Sequence, residues 1–223
     1  MTASALYLVR HGAIVRSAVK TYIGQLDAPL SAEGVAQASV LRETLHPVHF
    51  ARVISSDLER STHTARIIAG AYANSIEMRP AFREISLGEW EGCTFRDIQQ
   101  RFPAEYAARG RDIENWRPSG GESFADCRAR VMDALRVILD GTQGNILLVA
   151  HAGVNRLILC EALSVPVARL HSIPQEYGCP NIIEFSGTRS TVKLLNFIPP
   201  TEQTIAELRL APALPALLGE EGH

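Results

Sequence analysis

Two short apolar runs in the chain each stop at a histidine with a glycine close behind. The first run, residues 6–9, ends in Arg10 and His11, and the second, residues 145–150, ends in His151. Apolar runs of this length without polar alternation predict strands that are buried on both faces. Because ligands of open α/β sheets bind at the carboxyl ends of such strands, each histidine is predicted to face a ligand crevice.

Apolar positions elsewhere in the chain recur with the spacing of α-helices. Ser31 is a predicted N-cap, because a helical pattern begins just after it and runs to Pro47. A strand at 52–55 is predicted to lead into a helix that ends near Tyr72. Further helices are predicted at about 122–139 and 154–163, and a closing hairpin at 181–186 and 191–198. This alternation predicts an α/β fold with a mostly parallel central sheet and helices on both faces.

The stretch from about 80 to 120 mixes glycines, aromatic residues and charges without a sustained period. It is predicted to be an inserted lid above the sheet edge, with one short helix at 94–102. Residues 13–30 also lack a period and are predicted to form a loop over or beside the crevice. We therefore expect a single domain over 1–198 and a C-terminal tail over 199–223 that is packed or mobile.

The composition is that of an ordinary globular protein, with 46% hydrophobic and 21% charged residues among 223. A formal net charge of -2 gives no basic excess, which argues against nucleic acid or an anionic membrane surface as a partner. The four cysteines are widely separated, and no apolar run is long enough to act as a leader or to span a bilayer. We therefore predict a cytoplasmic protein with reduced thiols, and a homo-oligomer is left open.

Five side chains have the chemistry of a phosphoryl-transfer site: Arg10, His11, Arg60, Glu84 and His151. An arginine supplies a fixed cationic fork that fits phosphate oxygens, and a histidine supplies a nitrogen nucleophile. Arg60 lies in the first turn after the strand at 52–55, from which it can turn back toward the strand ends. The two histidines and Glu84 are also metal-ligand types, but both arginines would place fixed positive charge beside a cation. We therefore predict that the site needs no metal.

The stretches around these residues match, in order, the motifs of one known family. They are 8–12, the series Gly24, Asp27, Pro29, Leu30, Gly34, Gln37 and Ala38, then 56–58 with Arg60, Thr64 and Ala65, Glu84 with Gly88 and 90–92, 121–123, and 149–153. With these motifs the chain resembles the histidine phosphatase superfamily, the phosphoglycerate mutase-like proteins. Residues 90–92, Trp-Glu-Gly, resemble its phosphatase branches, α-ribazole phosphatase among them, more than its mutases.

The resemblance implies a phosphomonoesterase that acts on a small phosphorylated metabolite without a cofactor. It implies that His11 attacks phosphorus and becomes a phosphohistidine, which water then cleaves. Arg10, Arg60 and His151 would hold the oxygens of the transferring group, and Glu84 would protonate the leaving oxygen. Substrate binding is predicted to involve Arg10, Ser17, Gly24, Arg60, Glu84 and Ala152.

Two positions depart from the family pattern and bear on substrate binding. Ile14 and Ser17 stand where the family usually has Thr and Asn, so an amide donor to phosphate is missing. Ser17 can donate one hydrogen bond and is expected to substitute in part.

Two other functions stay open at this stage. The first is a cofactor-dependent phosphoglycerate mutase, in which arginines of the lid would hold a second phosphate: Arg101, Arg109, Arg111 and Arg117. The second is a non-catalytic protein that binds a phosphate ligand, although such a protein would be expected to lack His11 or Glu84. Trp90 is predicted to support Glu84. The remaining histidines are predicted to be solvated or capping residues: His46, His49, His63, His171 and His223.

Overall fold

The computed structural model of the chain describes residues 4–16, 19–187 and 189–199. Ser17 and the tail beyond residue 199 lie outside these residues. The strands are β1 (Ser4–Arg10), β2 (Phe50–Ser55), β3 (Glu77–Met78), β4 (Asn145–Ala150), β5 (Pro180–Ser186) and β6 (Arg189–Leu194). The α-helices are α1 (Ala32–Leu45), α2 (Glu59–Ala69), α3 (Phe95–Arg101), α4 (Pro103–Arg111), α5 (Phe124–Asp140) and α6 (Ala152–Leu163). In the described part of the chain, none of these helices combines the length and the apolarity that crossing a bilayer requires.

The six strands form one sheet in the order β3-β2-β4-β1-β5-β6. The first four strands of this order run parallel to their neighbours, and β5 and β6 add an antiparallel edge. The predicted α/β class and the predicted hairpin are therefore confirmed, although β6 ends at Leu194. The two strands that lead to histidines are direct neighbours, and Arg10 of β1 is paired with Ala150 of β4. This register brings His11 and His151 to the same edge of the sheet.

Side chains of β1 and β4 alternate between two apolar cores. Leu6 and Leu8 of β1 pack on one face of the sheet, in a core to which α5 and α6 contribute. Val9 packs on the other face, in a core to which α1 and α2 contribute. Burial on both faces is the physical reason that these strands are almost uninterrupted in their apolar character. The prediction that helices cover both faces of the sheet is therefore confirmed.

Side-chain caps fix where several helices begin. Ser31 accepts a hydrogen bond from the backbone amide of Gly34 at 3.1 Å, which confirms the predicted start of α1. Ser123 forms a capping box with Asp126 at the start of α5. This helix leads away from the 119–121 turn, so the cap also fixes one border of the lid.

The lid contains one more helix than the sequence pattern predicts. The predicted helix at 94–102 is present as α3, but Pro103 starts a second helix, α4, at once. Proline lacks the amide donor that would continue α3, while its fixed φ suits the first turn of a new helix. The lid has its own apolar cluster, in which Trp90 packs against Tyr22.

Two further differences concern short elements beside β2. The helix predicted to reach Tyr72 ends as α2 at Ala69, because Gly70 has φ +55°, and the chain continues as a 3-10 helix over Gly70–Ser75. Strand β3 has only two residues, which is too short to leave a periodic signal in the sequence.

Candidate active site

His11 and His151 lie side by side at the carboxyl edge of the sheet. Their ring centroids are 5.1 Å apart, and both residues are buried. Nδ1 of His11 lies 2.8 Å from the carbonyl oxygen of Gly12. Since a carbonyl oxygen can only accept, Nδ1 carries the proton, and the lone pair of a neutral His11 is on Nε2.

Burial lowers the pKa of His11 well below its ordinary value, and the charges of Arg10 and Arg60 lower it further. The pKa of His151 is lowered in the same way, first by burial and then by Arg60. Both imidazoles are therefore neutral near pH 7. A neutral imidazole with a free Nε2 is the form of histidine that acts as a nucleophile.

The two arginines are held by backbone carbonyls. Arg10 donates from Nη1 to the carbonyl oxygen of Gln175 at 2.5 Å, and its guanidinium lies 3.6 Å from the ring centroid of Tyr177. Arg60 is buried and donates to the carbonyl oxygens of Leu26, at 2.6 Å, and Gly24, at 2.7 Å. The carbonyl groups hold the two guanidinium groups in place without neutralising them, so both positive charges remain available to an anion.

Two buried side-chain nitrogens lack a hydrogen-bond partner within the described residues, one on the residue before His11 in the chain and one on the neighbouring imidazole. They are Nε of Arg10 and Nδ1 of His151. Nε2 of His151 is 2.7 Å from Oγ of Ser56, so the unpartnered nitrogen is the other one of the ring. A buried donor without a partner costs free energy unless a ligand satisfies it. An oxyanion beside His11 would provide the acceptor for both nitrogens.

Glu84 lies with His11 on the wall of one cavity and provides a carboxylate there. Its Oε1 accepts from the backbone amide of Ile85 at 3.0 Å, and its Oε2 accepts from that of Gly153 at 3.1 Å. The Glu84 carbonyl accepts from Gln25 Nε2 at 3.0 Å and from Arg130 Nη2 at 3.2 Å. These contacts hold the carboxyl group beside the N-terminus of α6.

The carboxylate of Glu91 joins the loop at 13–30 to the lid. Its Oε1 accepts from the backbone amides of Gln25, at 2.9 Å, and Leu87, at 3.0 Å. Gly24 has φ +53°, and a Cβ built on it would lie 2.2 Å from Oε1 of Glu91. A side chain here would be strained by the positive φ and would displace the Glu91 carboxylate, and the Gly24 carbonyl is one of the two that hold Arg60.

The cavity between these residues has a volume of about 240 Å³. Its described lining includes Arg10, His11, Ile14, Gly24, Arg60, Glu84, Arg109, Ala152, Arg156, His171 and Tyr177. Charged groups on this wall are mostly cationic, with one carboxylate, Glu84. The cavity is therefore suited to a multiply charged anion.

The predicted site residues line this cavity, apart from His151, which is not among the described lining residues, and Ser17, which lies outside the described residues. His151 packs behind His11, and Ala152 and Gly24 contribute to the wall. His171, predicted to be a solvated or capping residue, is largely exposed but also lines the cavity, where its ring lies 6.0 Å from that of Phe124. A lone histidine in an irregular segment carries no signal of this position.

Three contributors to the site were not found from the sequence: Tyr177, Arg156 and Ser56. Tyr177 and Arg156 reach the cavity through tertiary packing alone, whereas Ser56 follows β2 just as His11 follows β1 and could have been found from that position. Trp90 was predicted to support Glu84, but it packs in the lid cluster with Tyr22 and Trp116. Gln25 and Arg130 are the side chains that hold the Glu84 backbone.

Residues 6–198 match the family model of the histidine phosphatase superfamily (branch 1). The chain belongs to the histidine phosphatase superfamily. The family resemblance noted in the sequence is thereby confirmed, and the chain is a phosphatase of this superfamily.

This histidine phosphatase is similar to the adenosylcobalamin/alpha-ribazole phosphatase of Salmonella typhimurium, with 33% identity over 86% of this chain and 95% of that one. It is also similar to the crystal structure of the alpha-ribazole phosphatase from Shigella flexneri. That likeness has a TM-score of 0.80 and 30% identity, and it covers 86% of this chain and 96% of the other. A relative from Yersinia enterocolitica with a phosphoglycerate mutase name is 34% identical over 72% of this chain and 75% of its own length. The mutase alternative is less supported than the phosphatase function.

Proposed function

We propose that this histidine phosphatase hydrolyses a small phosphate monoester in two displacements at phosphorus, with His11 as the nucleophile. In the first step the Nε2 lone pair of His11 forms a bond to phosphorus, the ester P–O bond breaks, and the leaving oxygen takes a proton from Glu84. In the second step a water oxygen attacks phosphorus and gives a proton to Glu84, and the P–N bond breaks. The products are an alcohol and inorganic phosphate, with His11 restored.

The observation that carries this proposal is the pair of unpartnered buried nitrogens next to His11, Nε of Arg10 and Nδ1 of His151, the second of which donates when Ser56 donates to Nε2. Negative charge accumulates on the equatorial oxygens of a transferring phosphoryl group, and preorganised donors stabilise it most when water is excluded. Arg60 is proposed to bind a third oxygen, since it is buried and lines the same cavity. Positive charge from the arginines takes the place that a metal ion has in other phosphatases.

We propose α-ribazole 5'-phosphate as the substrate to test first. The support is the similarity to the Salmonella and Shigella proteins, which spans nearly their whole length. The mutase alternative has weaker support from the lid: of the four arginines considered for a second phosphate, Arg109 is the one among the described lining residues. Arg117 instead pairs with Asp126 at 3.0 Å.

We also propose that the reaction needs no metal and takes place in the cytoplasm. Fixed cationic charge from Arg10 and Arg60 beside His11 supports the first point, because it opposes binding of a cation there. The four cysteines are free thiols, three of them buried, which fits a reducing compartment. Full activity in the presence of a strong chelator is expected.

The proposed function is tested by trapping the phosphoenzyme. Wild-type protein mixed with substrate and quenched in denaturant without acid should carry one acid-labile phosphoryl group on His11, located by peptide mapping. His11→Ala should carry none and should lose turnover. Phosphate on a serine, or full activity of His11→Ala, would contradict the proposal.

The substrate is tested by a panel of monoesters at equal concentration. It should include α-ribazole 5'-phosphate, 3-phosphoglycerate, sugar phosphates and an aryl phosphate. The highest kcat/KM is expected for α-ribazole 5'-phosphate. Transfer of the phosphoryl group to a second phosphoglycerate in place of water would instead support the mutase.

A further inference from the structure

A second cavity, of about 530 Å³, adjoins the phosphate cavity. The two cavities share four lining residues: Ile14, Thr21, Ile23 and Tyr177. The other described residues of the second cavity are Arg16, Val19, Lys20 and Phe95. Because the walls are shared, a ligand whose phosphoryl group lies beside His11 can extend directly into the second cavity.

The walls of the second cavity are mainly apolar. Five of its eight described lining residues have apolar or aromatic side chains: Ile14, Val19, Ile23, Phe95 and Tyr177. Val19 is 59% exposed and Phe95 is 41% exposed, although both side chains are large and hydrophobic. Exposed apolar groups that line a concave surface beside a polar centre are typical of a ligand site.

The two aromatic side chains of this cavity are each held by a contact with a neighbouring side chain. Phe95 packs on Tyr22, with 4.3 Å between the ring centroids. Tyr177 accepts a hydrogen bond from Nη2 of Arg16 at 2.8 Å, and the guanidinium of Arg16 lies 5.0 Å from its ring centroid. These contacts hold Arg16 beside Tyr177 and leave its positive charge in place.

The polar groups of the two cavities also differ. Arg109, Arg156 and His171 are among the described lining residues of the phosphate cavity and are not among those of the second one. Arg16 and Lys20 are the cations among the described lining residues of the second cavity, and both are exposed to solvent. A cation at the edge of an apolar cavity is compatible with an aromatic ligand, because the face of an aromatic ring attracts positive charge.

We propose that the second cavity is the subsite for the alcohol part of the substrate, and that this part carries a planar aromatic ring system. The inference rests on the proposed function, since it takes the phosphoryl group of the same molecule to lie beside His11. Phe95 and Ile23 are then specificity-determining residues. They contact the ring system and do not touch the reacting atoms.

The test compares two substrates with the same ester group, ribose 5-phosphate and α-ribazole 5'-phosphate, which differ by the benzimidazole ring. In the wild type the kcat/KM for the ring-bearing ester should exceed that for ribose 5-phosphate by about tenfold or more, the usual range for filling an apolar pocket. Phe95→Ala and Ile23→Ala should each remove most of this preference. The matched control is Val137→Ala, which removes an apolar side chain that is 72% exposed on α5, outside the lining of both cavities.

Two more measurements separate the subsite from the chemistry. Inhibition by inorganic phosphate should be the same in the wild type, Phe95→Ala and Val137→Ala, because neither residue is among the described lining of the phosphate cavity. Binding of the phosphate-free nucleoside, α-ribazole, measured by calorimetry, should be lost in Phe95→Ala and kept in Val137→Ala. This binding does not depend on turnover, so it tests the subsite even if no monoester is hydrolysed.

The proposal is overturned if Phe95→Ala and Ile23→Ala leave the ratio of kcat/KM between the two esters unchanged, which includes an equal fall of kcat/KM for both. It is also overturned if 3-phosphoglycerate is preferred and Lys20→Ala abolishes that preference, because the cavity would then bind a second anion. Failure of the proposed function has a different signature. In that case no phosphoenzyme forms on His11, whatever the affinity for the nucleoside.

Discussion

Ser56 and His151 are joined by a 2.7 Å hydrogen bond between the serine Oγ and Nε2 of the imidazole. Both residues are fully buried, and they follow the neighbouring strands β2 and β4. If the serine hydroxyl donates to Nε2, the ring proton lies on Nδ1, the nitrogen that has no partner. The contact then fixes the tautomer in which His151 can donate to a phosphoryl oxygen.

Ser56→Ala should therefore lower the rate of phosphoenzyme formation more than it lowers substrate binding. The tautomer of His151 would no longer be fixed, so part of the protein would lack the donor on Nδ1. Loss of a whole donor at such a site costs about 10²- to 10³-fold in kcat, so a partial loss of about tenfold is expected. Single-turnover rates at saturating substrate measure it.

The matched control for this prediction is Ser61→Ala. Ser61 is equally buried, and its hydroxyl bonds the carbonyl oxygen of Val149 at 2.7 Å and Oγ of Ser55 at 2.9 Å. This variant should lower the free energy of unfolding and leave the single-turnover rate unchanged. Equal rates in the two serine variants would show that Ser56 has only a structural role.

Glu84→Gln should affect poor and good leaving groups differently. An alkyl ester oxygen needs a proton to depart, so the rate of phosphoenzyme formation should fall by about 10²- to 10⁴-fold. An aryl oxide leaves without a proton, so the rate of phosphoenzyme formation from an aryl phosphate should fall much less. Affinity for the substrate should stay the same or rise, because a carboxylate beside the phosphate is removed. If both substrates lost equally, another group would have to be the acid.

The lowered pKa values of His11 and His151 predict how stability depends on pH. Between the lowered pKa and about 6.5, the unfolded chain binds protons that the folded protein does not bind. The free energy of unfolding should therefore fall as pH drops through this window, by up to about 1.4 kcal/mol per pH unit for each histidine. Above this window the two histidines give no pH dependence.

Urea unfolding at several pH values on either side of 6.5 measures this slope, with 6.5 being about the pKa of an unperturbed histidine. His151→Gln removes one of the two groups and should make the slope shallower. A slope that is the same in His151→Gln as in the wild type would mean that other groups cause the acid sensitivity.

Gly34 of α1 lies against the backbone that follows His11. A Cβ built on Gly34 would lie 2.0 Å from the carbonyl oxygen of Ala13 and 2.7 Å from its amide nitrogen. Backbone atoms cannot turn aside as a flexible side chain does, so Gly34→Ala should destabilise the fold by about 2 kcal/mol. Gly110→Ala is the control, because nothing lies within 4 Å of its Cβ, and alanine in α4 should stabilise. Thermal unfolding compares the two, and a neutral Gly34→Ala would contradict the close packing of α1 on this loop.

Much of the architecture could be predicted from local patterns. The apolar runs of β1 and β4 are continuous because both faces of the sheet are covered, and this pattern is visible without a structure. Ser31 predicted the start of α1 because capping is a contact between residues three apart. Elements with few residues or no hydrophobic period were not predicted: β3 has only two residues, and α4 follows α3 without a loop.

The sequence by itself determined which residue types stand at the strand ends, since Arg10, His11 and His151 directly follow apolar runs that must be buried. Only the tertiary structure decided their relations. The sheet order makes β1 and β4 neighbours, and the contacts with Gly12 and Ser56 decide which nitrogen of each histidine is free. Tyr177 joins the cavity from a segment distant in the chain. Local patterns reflect local hydrogen bonds and burial, whereas the meeting of distant segments depends on how the whole chain packs.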